Sequence, residues 1–211
     1  MPEIGLFPLG IVLLPTERVP LHIFEPRYRE LIAECLDEDL EFGMLLADDD
    51  GIREIGTRAG VVEVLERFED GRLNVLVEGH ERFRVVALTQ GRSFHTGEVE
   101  PLVDSSEPAA PADVERTLAL FRNLVEVADT EVDEPPADSD ELSYALAARV
   151  DFGAELKQEL LELRSEPQRL RRVAELLERA TKAVTVEREV RQRASTNGKV
   201  APPDATGTIG G

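Results

Sequence analysis

Residues 19–32 read VPLHIFEPRYRELI, and where a helix begins in this stretch decides how the rest of the chain is read. VPLHIF is a short apolar run carrying a proline, which suits a strand. Pro26 suits the first turn of a helix, where its missing N–H costs nothing and its fixed φ is already helical. From there Tyr28, Leu31, Ile32, Cys35 and Leu36 recur at helical spacing. His22, Glu25 and Arg27 crowd together as catalytic groups do, yet the same residues serve a strand-to-helix join. On that reading Phe24 and Tyr28 anchor the join in the core, Glu25 offers acceptors to the free N–H groups of the first turn, and Arg27 forms an ion pair. The alternative is direct contact with a ligand.

Working outward, IGLFPL forms an earlier strand, separated from VPLHIF by Pro15. EFGMLLA reads as a buried strand and DDDG at 48–51 as a turn. VVEVLERF and RLNVLVEG flank Asp70-Gly71, the signature of a hairpin with a tight primed turn, which demands positive φ. ERFRVVAL and RSFHTGEVEPLV continue the antiparallel pattern. About six strands around one early helix predict a closed or half-closed β unit rather than repeated βαβ units.

The period changes after DSSEPAAPAD. The expected division is a β-rich part over 1–103, a linker over 104–113, a helical bundle over 114–194 and a disordered tail over 195–211. The first bundle helix carries Val114, Leu118, Phe121, Leu124 and Val125. The next is capped by Asp138 or Ser139 and carries Leu142, Leu146 and Val150. A short helix over LKQELLEL stops near Pro167, and a long last helix runs from about Gln168 to Ala194. That last helix is basic, net +4, against net −12 for residues 104–166, so it is expected to lie on its acidic neighbours.

With 211 residues, 42% of them hydrophobic, the chain can bury a real core. Its net charge of −19 repels phosphate backbones and anionic lipid. A single cysteine, Cys35, forms no internal disulfide, and its place on an apolar helical stripe makes it a buried thiol rather than a nucleophile. LFPLGIVLLP lacks the basic start and cleavage site of a signal peptide, and no run reaches the roughly 20 apolar residues of a spanning helix. A cytoplasmic location without membrane contact is expected.

Chemistry leaves few traces. The only Gly-Lys pair, Gly198-Lys199, is followed by Val200 and makes no phosphate loop. A Ser–Lys dyad would have to use helical Ser143 or Ser165 with one of three lysines. His22, His80 and His95 are scattered, and DDDG lacks the alternating ligands of a calcium loop. No catalytic residue, metal or cofactor is expected.

GLFPLGIVLLPTERVPLHIFEPRYRELI resembles the start of the N-terminal, substrate-binding domain of Lon proteases. DGRLNVLVEGHERFRVV is similar to that family's Asp-Gly hairpin and Gly-x-x-Arg-Phe-Arg segment, and LKQELLELRSEPQRLRRVAELL to its later helices. The resemblance runs in order from about residue 5 to 190. The motif positions are Pro8, Pro15, Pro20, Phe24, Glu25, Pro26, Arg27, Tyr28, Gly79, Arg82 and Phe83, and most of them read as structural. The resemblance implies an α+β fold: a PUA-like β pseudo-barrel with one early helix, then a helical bundle with a long last helix. The sequence shows no counterpart of the ATPase and protease modules of Lon, so a stand-alone bacterial member of the family is expected. It implies a non-catalytic module that recognises apolar or unfolded protein segments, with a protease or chaperone system as a possible associate. Two alternatives stand beside it. One is a small-ligand receptor using the barrel–bundle cleft. The other is RNA binding of the PUA kind, against which residues 1–103 set ten basic and twenty-one acidic side chains.

Overall fold

The computed structural model describes residues 3–139 and 141–197. In chain order its elements are β1 (Glu3–Leu9), β2 (Arg18–Ile23), α1 (Pro26–Glu38), β3 (Phe42–Asp48), β4 (Gly51–Arg67), β5 (Leu73–Thr89) and β6 (His95–Pro101), then α2 (Pro111–Ala128), α3 (Leu142–Ala147), α4 (Ala154–Glu162) and α5 (Glu166–Asn197). Strands β5, β4, β3, β1 and β6 pair in that order, and β6 pairs back onto β5. The sheet thus closes into a ring, which removes most of its free edges. Only β1 and β3 run parallel, and β2 adds to β5 outside the ring. This is the α+β pseudo-barrel expected, with α1 beside it and the helices following.

Inside the barrel Ile4, Leu6, Leu45, Phe83 and Val99 form a small core. Two glycines make room for it. A Cβ on Gly56 would lie 2.2 Å from the Met44 carbonyl oxygen, and one on Gly43 would lie 2.6 Å from the Phe83 ring. Gly56 sits in GIREIGTRAG, which does not read as a strand from its residues. Strand β4 nevertheless begins at Gly51, and β5 joins into one element what the sequence divides in two.

The Asp70-Gly71 hairpin forms, but with a different turn. Gly71 N–H donates to the Phe68 carbonyl, Phe68 N–H donates to the Arg72 carbonyl, and Gly71 has φ +83°. Asp70 is not at positive φ, so this is no primed two-residue turn. It is a longer loop in which glycine alone takes the left-handed position.

A second core joins the helices to the barrel. Val12, Leu14 and Leu46 from the β part are buried together with Leu118, Phe121, Tyr144, Leu160, Leu170 and Leu177. The loop before β2 is pressed onto β5 at Gly79, where a Cβ would come within 2.2 Å of the Leu14 carbonyl oxygen. Thr16 N–H donates to the Gly79 carbonyl and Gly79 N–H to the Glu17 carbonyl, fixing that approach.

Several helix boundaries differ from the sequence reading. Helix α2 starts at Pro111, inside the expected linker. Helix α3 ends at Ala147, leaving Val150 outside it, and its N-cap is Glu141 rather than Asp138 or Ser139. Pro167 does not stop a helix. It lies in the first turn of α5, where proline is tolerated. The expected tail begins inside α5, and residues 198–211 lie outside the described residues. Helix α5 packs on α2 and α3. Its Arg172 pairs with Glu159 of α4, but its Glu178 pairs with Arg116 of α2, so the charge match is mixed.

The barrel–bundle junction is polar and buried. Arg82 of β5 donates through Nη1 to the carbonyls of Leu161 (2.6 Å) and Leu163 (2.8 Å), and through Nη2 to Asp104. Arg169 of α5 donates to Ser143 Oγ, the Leu163 carbonyl, Asp104 and Glu166. Both guanidinium groups lie over the Tyr144 ring, at 5.7 and 4.3 Å from its centroid.

Candidate functional site

Beyond the barrel, the first half of β5 is flanked by β2 on one side and by residues 60–67 of β4 on the other. One face of this three-stranded extension is core: Leu21, Ile23, Leu73, Val75 and Val77 are buried with Tyr28, Leu31 and Ile32 of α1. The period-2 alternation of strands places Pro20 and His22, Asn74 and Leu76, and Glu63 and Glu66 on the other face.

A solvated sheet face is normally polar. This one leaves Leu65 48% exposed beside Pro20, with Phe24 59% exposed just past β2, and Val62 on the same strand is 46% exposed. Two of these residues are products of β-bulges. The β4–β5 register slips between Val61 and Glu63 and again between Val64 and Glu66, so Val62 and Leu65 are the extra residues. A bulge re-aims a side chain: Leu65 lines a hollow with Pro20 and His22 on this face, whereas Val62 lines a separate hollow with Cys35 and Leu36 of α1.

A polar row crosses the same face. His22 Nδ1 lies 2.6 Å from Asn74 Oδ1, and Asn74 Nδ2 donates to Glu66 Oε2 at 3.0 Å. The His22 ring stacks on Phe24 and meets Phe68 edge-on, with centroids 5.9 and 5.8 Å apart. Pro20, Leu21, His22, Leu65, Glu66 and Asn74 line a hollow of about 510 Å³. The arrangement offers apolar contact with a few hydrogen-bonding groups and no nucleophile.

The opening motif divides between core and surface. Tyr28 is buried, its ring 4.0 Å from that of Phe7 and covered by the Arg27 guanidinium at 4.5 Å. Phe24 is a correction: it was expected in the core, but it follows the last inward residue of β2, Ile23, and points to solvent. Glu25 is another. As N-cap of α1 it makes no side-chain capping bond, and its carboxylate instead takes Arg27 Nε at 2.9 Å. Only its backbone carbonyl accepts from Tyr28 and Arg29. Pro26 opens α1 as expected.

Of the other motif residues, Pro8 pairs with Leu45, Pro15 is buried in the loop before β2, and Pro20 is exposed on β2. Gly79 and Arg82 hold the loop and the bundle as described, and Phe83 fills the barrel with 0% exposure. Sequence reasoning missed Val62 and Leu65. The signal was present in VVEVLERF, where the doublets Val61-Val62 and Val64-Leu65 break strict alternation and mark the bulges.

Elsewhere the groups that could do chemistry are occupied or protonated at Ser143 and Cys35. Ser143 Oγ donates to Glu166 and accepts from Arg169. Burial pushes the Cys35 thiol up to about 11, so it stays protonated at neutral pH. A hollow of about 360 Å³ beside Cys35 and Phe94 has Arg58 paired to Glu41 and Arg92 to Glu34. Among the described residues no group of three or more His, Cys, Asp or Glu is arranged to hold a metal, and no helix is long and apolar enough to cross a membrane.

The chain is similar to known proteins in sequence and in fold. The Lon protease of Solibacter usitatus is 28% identical over 203 residues, covering 87% of this chain and 25% of that protein. A crystal structure of a Lon N-terminal domain protein from Xanthomonas campestris superposes with a TM-score of 0.66 at 26% identity, covering 82% of this chain and 97% of the other. The N-terminal domain of a Mycobacterium avium complex Lon protease has the same fold, with a TM-score of 0.66 at 17% identity over 84% and 98% of the two chains. The chain spans about a quarter of the length of the curated Lon proteases it matches. The family profile of the ATP-dependent protease La (LON) substrate-binding domain matches residues 3–179, and the chain belongs to that family.

Proposed function

We propose that this chain is a non-catalytic, cytoplasmic binding module for apolar or unfolded protein segments, taken up on the outer face of β2, β5 and β4. One observation carries the reading: that face exposes Phe24 and Leu65, with the hollow beside Leu65, on a sheet whose opposite side is core. Exposed contiguous apolar surface on a folded domain marks an interaction site more often than chance. The family relation supports the protein nature of the ligand, and a protease or chaperone system is the natural recipient of such segments.

A shallow face of this kind gains its affinity from apolar contact, and ordering a flexible segment offsets much of that gain. The expected dissociation constant is about micromolar or weaker. Fluorescence titration of labelled apolar peptides, at two salt concentrations, tests the reading against single-stranded RNA of similar length. Peptide binding should tolerate salt and fall at least about fivefold in Leu65→Ser and Phe24→Ser. Tighter RNA binding that collapses with salt would overturn it.

A further inference from the structure

We propose that the segments held on this face combine apolar residues with lysine or arginine, an inference that rests on the binding reading above. The charges on the face do not balance. Arg18 of β2 is taken by Glu78 through both Nε (2.9 Å) and Nη2 (2.8 Å). Arg27 is paired with Glu25, and Arg72 with Asp70 while its guanidinium covers Phe68 at 4.9 Å. Arg67 falls on the opposite side of the sheet, where it lines a hollow with Pro26, Arg29 and Ala33 of α1.

Glu63 and Glu66 have no basic partner among the described residues. Both are exposed, and Glu66 spends only Oε2, on Asn74. Each follows a bulge residue directly, giving the doublets Val62-Glu63 and Leu65-Glu66 opposite Leu76 and Asn74. The face therefore presents two unmatched carboxylates three residues apart, one of them directly beside the exposed Leu65. A ligand that matches it carries apolar side chains beside cations. The net charge of −19 acts in the same direction, drawing cationic segments and repelling acidic ones.

Three labelled peptides of equal length and identical apolar residues, with lysine, serine or glutamate at the intervening positions, test this. The parent and the Glu63→Gln/Glu66→Gln double variant are titrated with each at low and at about 0.5 M salt. In the parent at low salt the lysine peptide should bind about three- to tenfold tighter than the serine peptide. The gap should close at high salt. The double variant should lose most of the lysine preference, read as the ratio of lysine- to serine-peptide affinity within that variant. Equal affinity for lysine and serine peptides in the parent overturns the inference and leaves the apolar reading standing. A preference that survives the double substitution also overturns it, since it would then belong to the net charge alone. Failure of the serine peptide to bind the parent at all, at either salt, removes the reading on which the inference rests.

Discussion

Replacing Arg82 by methionine should unlatch the barrel from the bundle. The Arg82 side chain is 4% exposed and spans two elements that are distant in sequence. Its Nη1 satisfies the Leu161 and Leu163 carbonyls, at and just past the end of α4, where a helix leaves acceptors without intrahelical partners. Its Nη2 reaches Asp104, the carboxylate that also receives Arg169. Methionine keeps much of the volume and removes every donor. The Leu163 carbonyl still accepts from Arg169 Nη1, so only the Leu161 carbonyl is left unpaired, at about 1–3 kcal/mol, and breaking a buried ion pair at one partner costs about 3–5 kcal/mol. These terms overlap, because Arg169 still neutralises Asp104, so the expected loss is about 3–5 kcal/mol. For a chain of this size that lowers Tm by roughly 6–20 °C. Arg82→Lys keeps the charge but has no fork to reach three acceptors, and should recover less than half of the loss. Urea unfolding followed by far-UV circular dichroism measures it, and near-UV signal from Tyr144, held between both arginines, reports the junction itself. A loss under about 1 kcal/mol for Arg82→Met would refute the assignment of the junction to this network.

Two aromatic truncations should separate core from surface. Phe83→Ala, at 0% exposure inside the barrel, should cost about 3–5 kcal/mol in urea unfolding, whereas Phe24→Ala should stay within about 0.5 kcal/mol of the parent. Equal destabilisation by both would contradict the outward placement of Phe24. A pH dependence follows from Glu166, whose carboxyl burial raises above its ordinary 4.5 despite hydrogen bonds from Ser143 and the Arg169 charge. A raised acid holds its proton more firmly when folded, so the stability it contributes is present at low pH and declines as pH climbs from 4.5 through the higher folded value. The Tm advantage of the parent over Glu166→Gln should therefore shrink as pH rises through that window, and an advantage that grows there would refute it. The carboxylates held low by their partners, Glu3, Asp48, Asp70 and Glu134, work in the opposite direction but are common to both proteins and cancel in the difference.

The fold was legible wherever apolar period and turn chemistry agree. Pro26 followed by Tyr28, Leu31, Ile32 and Cys35 places α1 almost to the residue. Strand β4 before Val61 was not legible, because its glycines answer to neighbours distant in sequence. Gly56 is required by Met44 and Phe83, and composition alone makes such a residue look like loop. Phe24 failed for a related reason. Hydrophobicity says that it prefers burial, but strand parity decides which side it occupies, and Ile23 had already taken the inward position.

Strand β5 ties the proposed recognition face to the rest of the molecule. Its first residues, Asn74 and Leu76, belong to the exposed face; Gly79 then receives the loop carrying Leu14, and Arg82 reaches the bundle while Phe83 fills the barrel. The Gly-x-x-Arg-Phe spacing is thus the distance along one strand from loop contact to junction to core. Each of these residues is fixed by a partner it must touch. The exposed bulge residues Val62 and Leu65 have no such internal partner, and the fold would bury as much apolar surface with polar side chains in their place. The segment proposed to bind there gives the exposed Leu65 a role outside the chain, and the unmatched carboxylates are what the proposal uses to set its charge.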